Sequence, residues 1–357
     1  MTGAEHVRRS GLVGRYAALV CDLDGVVYRG RQAVAGAVPA LAETMAQGIK
    51  VAFATNNASR EPGEVLAHLA ALGVAPHASR HGMSVVTSAE AAARAVRDVL
   101  GPGEPVLAVG GPGVAAALRA ADLCPFTTEE SRRVPVVRAV VQGAGKDVDW
   151  SDLAEAAYRI REGALWVATN GDRTIPTGRG PAPGNGTLVD AVRAAVEVEP
   201  LTVGKPEPAL YELALERLAV RPRETLVVGD RLDTDIAGAV RLGLDSMLVL
   251  GGAHGLSDVV RCAPALRPTY VGVDLRALLV DHEQGQPGHA LDRFVREAWA
   301  LRDEGGDLSV EVHDWRDVER ALVEEWTTVW RGASSPGLTG GVLDDPKSVP
   351  RVTHATP

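Results

Sequence analysis

Apolar residues come in short runs along this chain, and polar residues close each run. Residues 17–21 read AALVC and stop at Asp22. Residues 49–54 read IKVAFA and stop at Thr55, Asn56 and Asn57, and residues 225–228 read TLVV and stop at Gly229 and Asp230. Runs this short and this apolar fit strands buried on both faces, as in a parallel sheet. Between them apolar positions recur at helical spacing. Residues 36–47 and 61–72 end at Gly48 and Gly73, residues 208–219 open with Pro208, and residues 235–242 run up to Gly243. Glycine after a helix and proline at its first position are normal end signals. Strands alternating with such helices predict a doubly wound parallel α/β sheet. In open sheets of this kind ligands bind at the carboxyl ends of the strands, where these runs deliver their polar residues.

The alternation is less regular from 81 to 182. Apolar runs at 105–109, 136–141 and 164–168 alternate with helical patterns at 84–100, 113–121 and 151–162, which predicts a second α/β unit. Beyond about 280 the pattern changes again. Leu291, Phe294, Val295, Ala298 and Trp299 fall at helical spacing, and residues 308–312 alternate like a strand. Trp315, Val318, Leu322, Trp326 and Trp330 fall near one helical face. Four of the six tryptophans lie in this stretch, so it is expected to be a small packed α+β appendage. From Gly332 onward Gly, Pro and Ser dominate, and the tail is expected to be disordered.

Composition narrows the class. With 357 residues, 46% hydrophobic and 23% charged, the chain reads as an ordinary globular protein of about two domains. A net charge of −9 argues against broad binding to nucleic acid or to an anionic membrane. Cys21, Cys124 and Cys262 are odd in number, far apart and without a CxxC. They fit small buried residues in a reducing cytoplasm better than a disulfide framework or zinc site. No apolar run is long enough to span a bilayer. Arg8 and Arg9 precede an apolar stretch, but Arg15, Asp22 and Asp24 interrupt it, so an export signal is not expected.

Candidate chemistry gathers at the strand ends. Asp22 and Asp24 lie two positions apart before Gly25, so both can face one site, and a divalent cation would make that tolerable. Thr55 and Asn56 add a hydroxyl and an amide, Lys205 a positive charge, and Asp230, Asp233 and Asp235 a second acidic cluster. Taken singly, each has a bland reading: a charged turn, a solvated lysine, an acid-rich helix start. It is their joint placement at strand ends that points to a site.

Together, DLDGVV at 22–27, ATNN at 54–57, VGKPEP at 203–208 and VGDRLDTDI at 228–236 closely resemble the haloacid dehalogenase-like superfamily. Asp24 marks the phosphate-ester branch, since a dehalogenase would lack it. The stretch between Asp24 and Thr55 suits one βα unit, whereas Thr55 to Lys205 is far more than the sheet needs. The excess implies a cap inserted in the core, as in NagD-like and 4-nitrophenylphosphatase-like enzymes. ATNGDRTIPTGRGPAPGNGTLVDAV at 168–192 is similar to a run of that branch. The appended C-terminal region, with RPTYVGVDLRAL at 267–278, resembles mycobacterial glycerol 3-phosphate phosphatases. The layout implied is a core of 12–80 and 183–280, a cap of 81–182 that selects substrate, an appendage of 281–331 and a tail of 332–357.

The resemblance implies a Mg²⁺-dependent phosphatase of small phosphorylated metabolites, with glycerol 3-phosphate first. Phosphoglycolate, a nucleoside monophosphate and pyridoxal phosphate remain alternatives, as does a non-catalytic phosphoester-binding regulator. Asp22 is the expected nucleophile and Asp24 the acid and base. Gly25, Thr55, Asn56, Asn57 and Lys205 are expected at the phosphate. Mg²⁺ is expected on Asp22, the Asp24 carbonyl and Asp230, with Asp235 behind them and Asp233 a solvated loop acid. Asn170, Asp172 and Arg173 are candidates to touch the leaving group. No nucleic-acid or membrane partner is expected, and self-association, if it occurs, is assigned to the cap or the appendage.

Three further matches are set aside. Gly111-Pro112-Gly113 imitates a dinucleotide fingerprint, but Pro112 and its place in the cap favour a plain strand–helix turn. Gly204-Lys205 lacks the Ser or Thr of a nucleotide P-loop, because Pro206 follows. Residues 285–290 only loosely resemble an acetyltransferase pyrophosphate loop, so no acetyl transfer is expected.

Overall fold

The computed structural model describes residues 9–74, 83–177, 179–282, 289–303 and 326. These fall into two compact units, the first made of 9–51 and the described residues from 220 onward, the second of 52–74 and the described residues from 83 to 219.

The first unit is built on parallel strands in the order β15–β14–β13–β1: Tyr270–Gly272, Asp245–Val249, Thr225–Gly229 and Ala18–Cys21. Every residue of β1 and β13 is buried, as their uninterrupted apolar runs require. Their register pairs Ala18 with Thr225 and Cys21 with Val228, so both strands end at the same level. A short hairpin of β2 (Tyr28–Arg29) and β3 (Gln32–Ala33) follows β1. Helices α1 (Ala37–Ala46), α9 (Ala237–Arg241) and α10 (Leu256–Arg261) connect the strands.

The helix expected over 291–301 is α11 (His289–Asp303), and its apolar stripe is buried: Phe294, Val295, Ala298 and Trp299 are at most 7% exposed. It covers β15, an edge strand. The Asp292 carboxylate accepts the Val271 N–H at 2.7 Å, and Arg296 donates to the Thr269 carbonyl at 2.9 Å. An edge strand otherwise presents unpaired polar groups, and a covering helix removes that liability. The other Asp292 oxygen meets Nδ1 of buried His282 at 2.7 Å, while Nε2 faces the Ala277 carbonyl at 3.1 Å. The strand expected at 308–312, and Trp315, Val318, Leu322 and Trp330, lie outside the described residues. Trp326 is described and is buried.

Strand β4 (Lys50–Thr55) carries the chain into the second unit. There β5 (Met83–Thr87) precedes a five-stranded parallel sheet, ordered β12–β9–β8–β6–β7: Leu201–Thr202, Leu165–Ala168, Ala139–Gln142, Pro105–Val109 and Cys124–Phe126. Helices α2 (Pro62–Ala71), α3 (Ser88–Leu100), α4 (Pro112–Ala120), α5 (Thr128–Ser131), α6 (Trp150–Arg161), α7 (Asn185–Arg193) and α8 (Pro208–Leu218) surround the strands, and β10 (Thr174–Thr177) forms a hairpin with β11 (Gly180–Pro183). The sheet's core is mostly aliphatic, with Leu107, Val140, Ile160 and Val192 around Trp166.

Three expectations are corrected. Residues 84–87 are strand, not the start of a helix: β-branched Val85, Val86 and Thr87 favour β structure, and Thr87 then caps α3 in a reciprocal box with Glu90. The helix expected from 235 begins as a π-helical turn over Leu232–Ile236 before α9. Cys124 is exposed, because it opens the edge strand β7, whereas Cys21 and Cys262 are buried. The Gly111 and Gly113 positions also have a packing cause. A Cβ at Gly113 would stand 2.5 Å from the Ala58 carbonyl, and one at Gly111 2.8 Å from Ser59 Cα.

Among the described residues no helix is long and apolar enough to cross a membrane. Thr87→Val keeps the volume of the α3 cap but removes the two hydrogen bonds of the Thr87 hydroxyl, leaving that of its backbone N–H to Glu90. It should lower the unfolding free energy by about 1–2 kcal/mol, read as a lower urea midpoint.

Candidate active site

In the first unit the acids converge because two strands end together. Asp22 follows β1, and its N–H donates to the Val228 carbonyl of β13 at 2.8 Å. Asp230 follows β13. Beyond it the chain turns in the π-helical segment, where the N–H groups of Asp235 and Ile236 both donate to the Arg231 carbonyl. That wider turn brings Asp235 back beside the strand end, where its Oδ2 accepts the Arg231 N–H at 3.1 Å. One carboxylate oxygen each from Asp22, Asp230 and Asp235 lies within 4.8 Å of the others. The three residues are 8%, 3% and 1% exposed.

Glycines make room for this cluster. Gly25 has φ +90, and a Cβ there would stand 2.2 Å from Asp230 Oδ2. A Cβ on Gly252 would stand 2.0 Å from the same oxygen, and one on Gly229 2.2 Å from Asp235 Cβ. The loop after β14 completes the seat of Asp230. Ala253 N–H donates to Asp230 Oδ2 at 2.7 Å, and His254 N–H to the Asp230 carbonyl at 3.1 Å. His254 Nδ1 accepts from the Leu232 N–H at 3.0 Å, so the neutral ring carries its proton on Nε2.

Asp24 sits in the turn after β1, bridged to Tyr28, with its side chain exposed and outside the group of three. Asp233 is exposed as well. Burial pushes its carboxyl up, but the Arg231 guanidinium, at 2.7 and 3.1 Å, outweighs this and holds it below the usual carboxylate value.

Three carboxylates this close repel one another by roughly 3 kcal/mol or more per pair at an effective dielectric of 20. That is comparable with much of a domain's stability, so the cluster calls for a compensating cation. The donors are all oxygen, with no His or Cys among them, which suits a hard cation such as Mg²⁺.

In the second unit Asn56 and Lys205 form one network, and Thr55 lies next to Asn56 in the chain. Thr55 ends β4, is buried, and accepts the Asn57 N–H on Oγ1 at 3.1 Å. The Asn56 carboxamide is committed to Lys205: its Oδ1 accepts the Lys205 N–H at 2.7 Å and its Nδ2 donates to the Lys205 carbonyl at 3.0 Å. The same Nδ2 donates to Asp172 Oδ2 at 3.1 Å. Lys205 is 4% exposed, and its Nζ donates to the Ala54 carbonyl at 3.0 Å. Asn56's own carbonyl accepts from Ser88 Oγ at 2.7 Å and Asn170 Nδ2 at 2.8 Å, and Asn185 Nδ2 in turn holds the Asn170 carbonyl at 2.8 Å. Asn57 caps its own loop through Ser59, and Arg173 is exposed and paired with Asp190 at 2.7 Å.

The structure thus brings Asp22, Asp230 and Asp235 together in one unit, and Thr55, Asn56, Lys205 and Asp172 together in the other. Sequence reasoning missed the Gly252–His254 loop, Ser88 and Asn185. The paired glycines after β14 were the available signal for the first of these.

A parallel α/β chain with a carboxylate cluster at the ends of adjacent strands is of a class built for hard-cation chemistry. Residues 19–124 match the family described as haloacid dehalogenase-like hydrolase, and residues 202–278 match a second described as HAD-hydrolase-like. The chain is 47% identical over 278 residues to D-glycerol 3-phosphate phosphatase of Mycobacterium tuberculosis, covering 77% of this chain and 75% of that one. It is 36% identical over 257 residues to glycerol-3-phosphate phosphatase of Gallus gallus, covering 68% and 81%. Among solved structures, glycerol phosphate phosphatase from Mycobacterium tuberculosis in complex with magnesium superposes with a TM-score of 0.74 at 40% identity, covering 89% of this chain and 99% of that one. The chain belongs to the haloacid dehalogenase-like hydrolase family.

Gly25→Ala should strain the backbone and displace Asp230. We expect a loss of about 1–3 kcal/mol in stability by urea unfolding. Calorimetry should show weaker binding of Mg²⁺.

Proposed function

We propose that the protein is a Mg²⁺-dependent phosphatase that hydrolyses a small phosphate monoester through an aspartyl-phosphate, with glycerol 3-phosphate as first substrate. The observation that carries this reading is the oxygen-only cluster of Asp22, Asp230 and Asp235 at the ends of β1 and β13. The substrate rests on the relatives, two of which are named for glycerol 3-phosphate.

Asp22 attacks phosphorus, the P–O ester bond breaks, and Asp24 gives its proton to the leaving alcohol. Water then attacks the phosphorus of the aspartyl-phosphate and gives a proton back to Asp24, and the Asp22–P bond breaks. An exposed side chain suits Asp24, which must exchange protons with alcohol and water. Asp22, the Asp24 backbone carbonyl and Asp230 would hold Mg²⁺, with Asp235 in the same carboxylate cluster. When bound, the ion supplies charge that offsets the phosphoryl oxygens. The Thr55 hydroxyl and backbone N–H groups from Gly25 onward hold those oxygens, and Lys205 lets one anion approach another. Asn56 serves this step by fixing Lys205, since its carboxamide is taken up there, and Asn57 by holding the Thr55 turn.

The segment 81–182 reads the alcohol. Asp172, tethered to Asn56, is the candidate contact, whereas Arg173 is engaged with Asp190. Free cysteines and a net charge of −9 support a cytoplasmic enzyme without a nucleic-acid or membrane partner. Trp150 and Tyr158, 77% and 57% exposed on α6, support self-association through the second unit.

Asp22→Asn should fold yet lose at least about 10³-fold in kcat. In Asp24→Asn, rapid quench and peptide mass spectrometry should find phosphate on Asp22; phosphate on another residue would refute the assignment. Asn56→Ala should lower kcat on every substrate, because it loosens Lys205, and by unequal factors, because it also releases Asp172. Asp172→Ala should reorder a panel of phosphate esters by kcat/KM, with glycerol 3-phosphate losing most. Tight binding of esters without turnover would mean a regulator instead.

A further inference from the structure

Helix α11 reaches the acid cluster through one other helix, and every residue involved belongs to the first unit. Helix α10 has only six residues, too few to be stable alone, and a helix leaves its last four carbonyls without partners of its own. Helix α11 supplies partners at that end. Trp299 Nε1 donates to the Val259 carbonyl at 2.9 Å, and Arg302 Nη1 donates to the Val260 carbonyl at 2.8 Å and the Cys262 carbonyl at 3.3 Å. The Arg267 guanidinium stacks on the Trp299 ring at 5.1 Å and forks onto Asp303 with two contacts of 2.7 Å, which clamps the pair from outside.

At its other end α10 starts from Gly255, and the residues just before it hold Asp230. These are Gly252, against which the carboxylate is packed, Ala253, whose N–H it accepts, and His254, whose N–H bonds the Asp230 carbonyl. Anything that lets α10 fray or shift moves this loop. A metal site tolerates such movement poorly, because changing the groups that orient a ligand typically costs about 10–100-fold in metal affinity or activity.

We propose that α11 is a positioning element for the Asp230 carboxylate, acting through Trp299 and Arg302 on α10 and from there on the Gly252–His254 loop. The proposal rests on the reading of Asp230 as a Mg²⁺ ligand. It gives α11 a part in the reaction through the placement of Asp230. Trp299→Phe keeps an aromatic ring at the position and removes the indole N–H together with the five-membered ring that carries it; Arg302→Ala removes the second tether.

The test is calorimetric titration of the full, metal-free chain with Mg²⁺, together with the Mg²⁺ dependence of turnover. The Trp299→Phe/Arg302→Ala double variant should bind Mg²⁺ about tenfold more weakly. Its kcat at saturating Mg²⁺ should stay within about twofold of the parent, and Arg302→Lys should restore part of the affinity. Arg293→Ala, which removes a solvent-facing ion pair with Glu297 on the same helix, should change neither. A folded double variant with parental Mg²⁺ affinity overturns the proposal, as does an equal fall in affinity with Arg293→Ala. Should the double variant not fold, Trp299→Phe alone decides, with an expected weakening of at least about threefold. Asp230→Asn separates the two levels. If it binds Mg²⁺ like the parent, the reading of Asp230 as a ligand fails; if it alone loses binding, only the role of α11 fails.

Discussion

Mutual repulsion among Asp22, Asp230 and Asp235 is the constraint around which the first unit is arranged. Three nearly buried carboxylates within 4.8 Å of one another oppose folding unless their environment compensates. Some compensation comes from the backbone, through the Ala253 N–H on Asp230 and the Arg231 N–H on Asp235. Space comes from Gly25, Gly229 and Gly252, where any side chain would collide with the acids. The π-helical turn belongs to the same arrangement, since its extra residue returns Asp235 to the strand end, and such turns concentrate at functional sites. These features hold the three carboxylates in place as an oxygen-only donor set, the kind that suits a hard cation.

The second unit solves a different problem, which is to hold a buried ammonium group. Lys205 loses hydration there and receives the Ala54 carbonyl, while its backbone is bracketed on both sides by Asn56. Bonds from Ser88 and Asn170 fix Asn56, and Asn185 fixes Asn170, so the lysine is located by a chain of amides and not by its own flexible stem. Because Asp172 shares the Asn56 amide, a change at the alcohol-reading loop and a change at Lys205 are not independent.

Much of this was legible in the sequence. Fully apolar runs such as AALVC and TLVV announce buried parallel strands, and their polar ends announce Asp22, Thr55 and Asp230. What stayed hidden depended on direction or on distant neighbours. MSVVT ran without a break into an alanine-rich helix, so β5 was absorbed into it. DIAGAVRL kept helical spacing although its first turn is π-helical, because one extra residue in a turn hardly changes periodicity. Nothing local links Gly252–His254 to Asp230, or α11 to α10. The side chain of Asn56 turns toward Lys205 and not toward an open site, which no spacing rule foresees.

The central claim, that the acid cluster is a cation site maintained against its own repulsion, is tested most directly by thermal unfolding with and without Mg²⁺. The measurement compares the parent chain with Asp235→Asn in excess chelator and in excess Mg²⁺. A ligand bound only by the folded state raises Tm, by about 2–4 °C per kcal/mol for chains of 150–250 residues. The account predicts that Mg²⁺ raises the Tm of the parent by several degrees. It predicts also that Asp235→Asn melts at or above the parent in chelator, because one repulsive charge is gone, and that this variant gains little from Mg²⁺. A parent Tm indifferent to Mg²⁺, with Asp235→Asn melting lower under both conditions, would contradict it.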